Sequence, residues 1–468
     1  MKQDYKVIII GSGFGGQLAA MNLTKQGITD FLMLERREFM GGTWSQNVYP
    51  GAAVDVPSVL YSVAAEPYDW KQKYAERDEL NAYTDHIINK HKLKEKTATN
   101  CTVTKIQWDD DSSRWNIHVQ GGEPFSAQYV VNASGPLSTP VIPNFKGRDT
   151  FKGKSFHSNN WDSSYNYQDK RVAVIGTGAS AAQIIPAIVN DVKHLDVYQR
   201  TADWVIPRQD YVFKKWQRAL LRNKLLYKAV RTFVYWALEF RLIGFKYSQN
   251  LLNLLGRGAS LKHINKHIKD PVLRKKVTPD FAFGCKRIIL SDTLYPAYAR
   301  DHVDVYDKSN GVKEITEKGI ITDDGAEHPV DLIVYSTGYD ATDGVISYPV
   351  VGRHGVTLLD TWKEFPRAYL GTAAPGFPNL FVVTGPNTGI GHTSALFLIE
   401  SQMCYIINSI KNVEKRNKKT VEVKDFAEER YTNHIHSEMQ KTVWQSGGCN
   451  SWYKSKSGKV IAMFPGFS

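Results

Sequence analysis

The chain has 468 residues, of which 42% are hydrophobic and 23% are charged, and its formal net charge is +12. This composition is that of a folded globular protein with room for two or three domains, and it excludes a disordered or fibrous chain. The N-terminus enters a strand without a signal peptide, and no uncharged apolar run approaches about 18 residues, so we expect a cytoplasmic protein without a transmembrane segment. No metal site and no nucleic-acid partner are predicted, and the oligomeric state stays open.

The cysteines are few and widely scattered. Cys101, Cys285, Cys404 and Cys449 form no CxxC pair. Free thiols in a reducing cytosol are therefore expected, and a mechanism that uses a redox-active disulfide is disfavoured.

A first dinucleotide-binding pattern begins near the N-terminus. A buried parallel strand over Lys6–Ile10 runs into Gly11, Gly13 and Gly16, which fit G-x-G-x-x-G. A helical pattern over Gln17–Gln26 and a second strand over Phe31–Leu34 follow, and Glu35 ends that strand. The glycines would let the backbone approach a pyrophosphate at the helix N-terminus, while the carboxylate would accept the ribose hydroxyls. Such an acid disfavours a 2′-phosphate, so this unit is predicted to bind FAD or NAD.

A small β-meander precedes the second unit. Its predicted strands cover Cys101–Trp108, Trp115–Val119 and Tyr129–Asn132. The meander ends at the sequence ASGP, residues 133–136, which is typical of a crossing of the chain between units.

The second dinucleotide-binding pattern starts at the predicted strand Arg171–Ile175. It continues through Gly176, Gly178 and Ala181. At the position equivalent to the acid of the first unit stands Arg200, whose charge and forked donors suit a 2′-phosphate. This unit is therefore predicted to bind NADPH. The alternative for Arg200 is a surface cation at a strand end.

A helical, aromatic-rich and basic insertion follows, from Val212 to Lys276. The stretch Val205–Lys286 contains 18 Lys and Arg against four acids, a balance of 18 − 4 = +14. Core contacts of a helical cap with a solvated basic face explain this pattern most simply. Attraction of an anionic nucleotide, or peripheral contact with an anionic membrane surface, are the functional alternatives.

The predicted fold class is α/β, with two Rossmann-like, three-layer ββα dinucleotide-binding domains. Residues 1–140 and 338–468 are predicted to form a discontinuous FAD-binding domain. Residues 141–337 are predicted to form the NADP-binding domain, which would own a helical insertion at about 208–280. The predicted elements after the insertion are a hairpin at Gly319–Asp331, strands at Leu332–Tyr335 and Leu380–Thr384, and helices at Thr393–Lys411 and Ala427–Gln440.

Three stretches resemble one family. They are GGTWSQNVYPGAAVD at residues 41–55, the pair Lys286 and Arg287 after Cys285, and a segment that fits F-x-G-x-x-x-H-x-x-x-W-D through Phe151, Gly153, His157, Trp161 and Asp162. Together they resemble type I Baeyer–Villiger monooxygenases, which are class B flavin-dependent enzymes. The resemblance implies FAD, NADPH and O2 as reactants, with insertion of one oxygen atom beside the carbonyl of a ketone or aldehyde through a C4a-peroxyflavin.

The resemblance also implies roles for charged residues. Arg287 would be the fixed cation that stabilises the anionic peroxyflavin and the oxyanion formed on attack, because arginine stays protonated. Asp55 would orient Arg287, and Lys286 would hold the 2′-phosphate together with Arg200 and Thr201. A structural arginine, a helix-capping Asp55 and a solvated lysine are the simpler alternatives.

Further positions resemble cofactor contacts of the family. They are Thr43, Trp44 and Tyr61 beside the flavin, Val103 at the adenine through its backbone, and Trp452 on a mobile loop. As isolated aromatics, Trp44 and Tyr61 would more simply be core residues. The chain departs from the family at Ala53, where many members have arginine, and this puts a nicotinamide contact in doubt.

The segment from Phe151 to Asp162 is interpreted as a linker between the two cofactor units. A single histidine is more often hydrogen-bonded structure than a general base, and the implied chemistry needs no base at His157. Related flavin monooxygenases that oxygenate nitrogen and sulfur carry Tyr or Phe in place of Trp161 and lack the Lys–Arg pair. Heteroatom oxygenation is therefore the second hypothesis, and a flavin- and NADP-binding redox sensor without turnover is the third. The sequence does not reveal the substrate.

Overall fold

The computed structural model describes residues 2–340 and 346–468, and it confirms the predicted α/β class. The strands are β1 (Asp4–Ile10), β2 (Phe31–Leu34), β3 (Thr97–Ala98), β4 (Val103–Asp109), β5 (Arg114–Val119), β6 (Phe125–Asn132), β7 (Lys154–His157), β8 (Arg171–Ile175), β9 (His194–Tyr198), β10 (Val205–Ile206), β11 (Ile289–Leu290), β12 (Val303–Tyr306), β13 (Val312–Ile315), β14 (Gly319–Thr322), β15 (Glu327–Pro329), β16 (Leu332–Tyr335), β17 (Val350–Val351) and β18 (Leu380–Val382). The helices are α1 (Phe14–Lys25), α2 (Thr43–Gln46), α3 (Arg77–Lys90), α4 (Ala179–Ile188), α5 (Lys215–Leu221), α6 (Lys224–Glu239), α7 (Leu242–Lys246), α8 (Gln249–Leu252), α9 (Gly258–His267), α10 (Pro271–Val277), α11 (Leu294–Tyr298), α12 (Leu358–Thr361), α13 (Ala395–Lys415), α14 (Asp425–Met439) and α15 (Val443–Ser446).

The first sheet has the order β17-β4-β5-β6-β1-β2-β3, and β18 also pairs with β6. Its centre is parallel, because β1 pairs in the same direction with both β2 and β6. The predicted meander β4-β5-β6 supplies the antiparallel part. The run of β-branched residues in β1 is buried, which is what a central parallel strand covered on both faces requires.

The second sheet is parallel throughout, in the order β12-β9-β8-β16-β7. Strand β7 belongs to the linker segment and pairs with β16, so the linker is an edge strand of the second unit. A separate antiparallel sheet, β13-β14-β15, contains the predicted hairpin. Strands β8 and β16 have the bounds that the sequence indicated.

Each glycine-rich turn lies against a place where the chain crosses between the units. A Cβ at Gly11, where φ is +102°, would come within 2.6 Å of the Ala133 carbonyl oxygen. A Cβ at Gly176, where φ is +113°, would come within 2.3 Å of the Ser336 carbonyl oxygen. Only glycine tolerates both the backbone angle and this contact. The sequence ASG at residues 133–135 and the sequence STG at residues 336–338 therefore occupy equivalent positions in the two units.

The helical insertion contacts both units. Tyr227 of α6 is buried in the core of the first unit and its hydroxyl lies 2.9 Å from Ser62 Oγ. Ile264 of α9 is buried in the core of the second unit. The assignment of the insertion to the NADP-binding domain, like the domain division itself, stays a prediction. Within the described residues, none of the helices is both long and apolar enough to cross a bilayer.

The prediction of free thiols was wrong for two of the four cysteines. Cys285 and Cys449 form a disulfide, whereas Cys101 and Cys404 are free. The paired Cα atoms lie 6.1 Å apart although 164 residues separate them in sequence. Spacing rules detect cysteines that are close along the chain, so they could not detect a pair that folding brings together.

Candidate active site

The two glycine-rich turns have the same backbone geometry. Gly13 precedes α1 with φ −70° and ψ −171°, and Gly178 precedes α4 with φ −65° and ψ −171°. Neither helix has a side-chain cap, and neither has an acid in its first turn. Uncapped N–H groups and the helix dipole favour an anionic ligand at such ends. Both turns therefore fit the pyrophosphate of a dinucleotide.

Close packing holds the first turn in place. A Cβ at Gly16 would lie 2.0 Å from the Gly11 carbonyl oxygen, and a Cβ at Gly42 would lie 2.7 Å from the Gly13 Cα. Gly42 immediately precedes Thr43, the first residue of α2, so this contact brings Thr43 and Trp44 to the turn. A side chain at either position would collide with the backbone of the turn and displace it.

Glu35 is buried at the end of β2. Its Oε2 atom accepts hydrogen bonds from the Ser12 backbone N–H at 3.0 Å and from the Ser12 hydroxyl at 2.7 Å. Its Oε1 atom accepts from the Arg37 backbone N–H at 3.0 Å. These bonds fix the carboxylate beside the first glycine turn, and each oxygen keeps acceptor capacity. The predicted contact with ribose hydroxyls fits this placement and stays a prediction.

Trp44 and Tyr61 form a second wall of the first unit. The Trp44 indole N–H donates to the Tyr61 hydroxyl at 3.0 Å, and the two rings meet edge to face at 5.8 Å. Burial raises the pKa of Tyr61 to about 12, so its hydroxyl is neutral at physiological pH. Both residues belong partly to the core, as the simpler alternative anticipated, and Tyr61 also lies near Asp55 and Arg287, whose charges act on it.

Arg287 and Asp55 form an ion pair. Arg287 Nε donates to Asp55 Oδ2 at 2.8 Å, and Nη2 donates to Oδ1 at 2.5 Å. The carboxylate raises the pKa of Arg287 further above its usual value, against the opposite effect of burial. Nearly half of the Arg287 side chain, 47%, remains accessible. Nη1 has no partner among the described residues, which leaves N–H donors for another anion.

The segment that carries Asp55 is fastened to the second unit. Gln183 of α4 donates to the Ala53 carbonyl oxygen at 2.8 Å, and its Oε1 accepts from the Tyr49 hydroxyl at 3.1 Å. Arg208 Nη2 donates to the Val54 carbonyl oxygen at 3.3 Å. Sequence reasoning missed Gln183 and Arg208, because nothing along the chain indicates which polar side chains reach across a junction.

Arg287 itself is held by a short parallel ladder. It precedes β11, whose Ile289 N–H donates to the Trp204 carbonyl oxygen at 2.9 Å, and β11 pairs with β10. Just before Arg287, the disulfide joins Cys285 to Cys449, and the Cys449 N–H lies 3.3 Å from the Cys285 sulfur. The structure therefore fixes the Lys286–Arg287 pair from both sides. Trp452 lies three residues after Cys449 and is 45% exposed.

The predicted 2′-phosphate residues lie together. Lys286 Nζ donates to the Thr201 hydroxyl at 2.8 Å and lies 3.8 Å from the Asp203 carboxylate. Burial raises the pKa of Asp203. Arg200 and Thr201 line a cavity of about 550 Å³, whose other lining residues are Ala202, Pro271, Arg274, Lys275, Lys276, Thr278, Pro279, Asp280, Asp307 and Lys308. This strongly basic cavity fits an anionic nucleotide end.

The contacts of His157 and Gly153 in the linker segment are structural. His157 Nε2 lies 3.1 Å from the Gly338 carbonyl oxygen, and its Nδ1 accepts from the Asn159 N–H at 3.1 Å. Burial lowers the pKa of His157, so its ring is neutral at physiological pH. A Cβ at Gly153 would lie 2.7 Å from the Asp331 carbonyl oxygen and 2.4 Å from the Phe151 ring, so the backbone contact favours glycine here.

Other linker residues make structural contacts within the second unit. Trp161 is buried in the core of the second unit, 5.0 Å from the Phe156 ring. Asp162 forms a 2.6 Å ion pair with Lys154. The structure does not bring these residues, or Val103 at the start of β4, into contact with the Arg287–Asp55 pair. Asn159, which donates to the Tyr339 hydroxyl at 3.1 Å, is a further joint residue that the motif does not single out.

Comparison with known proteins agrees with this geometry. Residues 4–360 match the flavin-binding monooxygenase-like family. A Baeyer–Villiger monooxygenase from Pseudomonas aeruginosa is 42% identical over 99% of this chain and 88% of its own length. Another from Streptomyces coelicolor is 40% identical over 99% of this chain and 89% of its own length.

Solved structures agree over the whole fold. OTEMO, in complex with FAD and NADP, superposes with a TM-score of 0.90 at 27% identity, covering 98% of this chain and 95% of that chain. NADP+-bound cyclohexanone monooxygenase from Rhodococcus sp. Phi1 gives 0.90 at 28% identity, covering 99% and 94%. The chain therefore belongs to the flavin-binding monooxygenase-like family and, within it, to the Baeyer–Villiger monooxygenases.

Proposed function

We propose that this chain binds FAD and NADPH and inserts one oxygen atom of O2 beside the carbonyl carbon of a ketone or aldehyde, giving an ester or lactone. The observation that carries the proposal is the Arg287–Asp55 pair at the junction of two dinucleotide-binding units. Bound FAD, once reduced by NADPH, supplies the activation of O2. The side chains described below supply placement and charge.

Arg287 is suited to stabilise negative charge without giving up a proton. Its pKa is raised by Asp55, so the guanidinium stays protonated throughout the physiological range. Asp55 engages Nε and Nη2, which orients the planar group and leaves Nη1 for an anionic oxygen. A fixed cation that does not act as an acid favours nucleophilic attack on a carbonyl over transfer of oxygen to nitrogen or sulfur.

The two units divide the cofactors between them in this proposal. Residues 1–140 and 338–468 would bind FAD through the first glycine turn, Glu35 and the Trp44–Tyr61 wall. Residues 141–337 would bind NADPH through the second turn and the basic cavity beside Arg200, Thr201 and Lys286. OTEMO, whose structure was solved in complex with FAD and NADP, supports this assignment. Gln183 and Arg208 join the two units beside Asp55. The placement of one unit relative to the other would therefore decide when the nicotinamide reaches the flavin and when the carbonyl substrate does.

Product analysis tests the proposal. FAD-loaded enzyme would be given NADPH, O2 and a panel of cyclic and long-chain ketones, aldehydes, sulfides and amines, with NADPH consumption and organic products measured together. We expect esters or lactones in proportion to NADPH consumed. Peroxide alone from every carbonyl, with efficient oxygenation of sulfides or amines, would overturn the proposal in favour of a heteroatom monooxygenase. Absence of NADPH turnover with any compound would favour a redox sensor.

A further inference from the structure

Helix α6 has an exposed apolar face in addition to its buried one. Leu225, Phe233, Trp236 and Phe240 are 81%, 73%, 49% and 58% exposed. Phe240 caps the helix in helical conformation, so the four positions follow the spacings i, i+8, i+11 and i+15 and fall on one side of α6. We call these four residues the outer face. A helix that served only as a cap would present polar residues there.

The opposite side of α6 already fixes the helix to the protein. The Tyr227 hydroxyl accepts a hydrogen bond from the Trp70 indole N–H at 3.1 Å. Arg231 pairs with Glu400 at 2.9 Å and donates to the Ser62 carbonyl oxygen at 2.9 Å. Intramolecular packing therefore accounts for the inner side and leaves the outer face unexplained.

The surroundings of the outer face are strongly basic. Between Asp210 and Glu239 the chain has seven Lys and Arg and no acid. Three of them, Arg218, Arg222 and Arg231, pair with acids of the first unit. The other four are exposed and have no ion-pair partner in the part of the chain that the structure describes; they are Lys214, Lys215, Lys224 and Lys228.

Two of the free lysines lie on the helix that carries the outer face. Lys228 is one turn after Leu225, at i+3, and Lys224 immediately precedes Leu225 in the first turn of α6. The preceding helix α5 adds Trp216 and Leu220, which are 60% and 49% exposed at i, i+4 spacing. Large aromatic and aliphatic side chains bordered by lysines match an interface with hydrocarbon on one side and phosphate on the other.

We infer that the outer face of α6 docks on an anionic lipid surface. The apolar side chains would enter the headgroup boundary while Lys224 and Lys228 contact lipid phosphates and carboxylates. A second copy of the chain is a poorer occupant, because two such faces would bring like charges together in a symmetric contact. This surface lies outside the cofactor site, and its binding requires no turnover, so the inference is independent of the proposed function.

Vesicle co-sedimentation of the full, FAD-loaded chain tests the inference. The probes are vesicles of phosphatidylcholine alone and vesicles containing about one third phosphatidylserine. We expect binding to the anionic vesicles that is at least about tenfold tighter than to the neutral ones and that weakens as salt is raised. Equal binding to both vesicles, or binding to neither, would overturn the inference.

Two paired variants separate the contributions. Phe233→Ser/Trp236→Ser should weaken vesicle binding at least about tenfold, and Lys224→Glu/Lys228→Glu should abolish the preference for anionic lipid. The matched controls are Phe426→Ser, at a phenylalanine that is 66% exposed on α14, and Lys94→Glu/Lys411→Glu. Controls that weaken binding as much as the test variants would show a non-specific effect and overturn the inference.

Two further readouts guard against misfolding and self-association. Brominated lipid should quench tryptophan fluorescence of the wild type, and Trp236→Ser should lose part of that quenching while its melting temperature and its FAD content stay unchanged. Sedimentation velocity without lipid should give the same species for wild type and Phe233→Ser/Trp236→Ser. A dimer that these substitutions dissociate would identify a second copy as the occupant and overturn the lipid assignment.

Discussion

Asp55 and Arg287 are 232 residues apart in sequence, yet the Arg287 guanidinium donates hydrogen bonds to both carboxylate oxygens of Asp55. Asp55 ends the segment that follows α2, and Arg287 lies between α10 and β11. The pair thus forms only when the segment of the first unit and the loop of the second unit are both in place. The orientation of the Arg287 guanidinium therefore depends on assembly of the whole junction.

Removal of the cation should separate flavin reduction from oxygen insertion. We expect Arg287→Ala to lower ester formation at least about 100-fold, because a preorganised donor to a developing oxyanion is lost. Reduction of FAD by NADPH should change little, as followed by anaerobic stopped-flow absorbance. Arg300→Ala, which removes an exposed arginine elsewhere, is the control. Ester formation that persists in Arg287→Ala would exclude Arg287 as the catalytic cation.

Cofactor discrimination should depend on the basic cavity. Arg200→Gln should weaken NADPH relative to NADH by about 1.5–3 kcal/mol, or about 10- to 150-fold, because a charge-assisted contact with the 2′-phosphate is lost. Steady-state KM and kcat for both nucleotides measure this ratio. Arg430→Gln, at an exposed arginine of α14, should leave it unchanged. Equal losses for both nucleotides in Arg200→Gln would refute the phosphate contact.

The disulfide should contribute to stability. Cys449→Ser should lower the free energy of unfolding by about 2–4 kcal/mol, since it releases a long closed loop in the unfolded chain. Urea unfolding measures the loss, and the wild type treated with a dithiol reductant should show a similar shift. Cys404→Ser changes an exposed free thiol and should have no effect. Four reactive thiols in the unfolded, unreduced wild type would contradict the disulfide.

Acid sensitivity should trace in part to the linker. The hydrogen bond from Lys154, followed by those from Ser164, lowers the pKa of Asp162 from 3.8 to about 2. A carboxyl group with a lowered pKa stabilises the fold above its unfolded pKa, and this contribution is lost as pH falls from about 4 towards about 2. Asp162→Asn should therefore be less stable than the wild type near pH 5, and the difference should shrink as the pH falls. Lys154→Met should also differ from the wild type in free energy of unfolding near pH 5, and this difference should likewise shrink as the pH falls. A difference in stability that does not depend on pH would rule out the Asp162–Lys154 ion pair as its cause.

The sequence alone determined the local elements and their chemistry. Apolar β-branched runs produced β2, β8 and β16 with the predicted bounds, because buried parallel strands need side chains that fill both faces. The helix after the first turn starts at Phe14 instead of Gln17, and β6 starts at Phe125 instead of Tyr129, since propensity does not define ends. Glycines at positive φ identified both turns, because no other residue fits there.

Only the tertiary structure decided which distant side chains meet. The Arg287–Asp55 bond, the Gln183 and Arg208 contacts across the junction, and the Cys285–Cys449 disulfide all join residues that no local pattern relates. The motifs singled out Arg287 and Asp55, whereas the distance in space between these two side chains depends on how the two sheets are placed. Local propensity acts over a few residues, but packing of complete units fixes geometry to fractions of an ångström, and charge chemistry depends on that geometry.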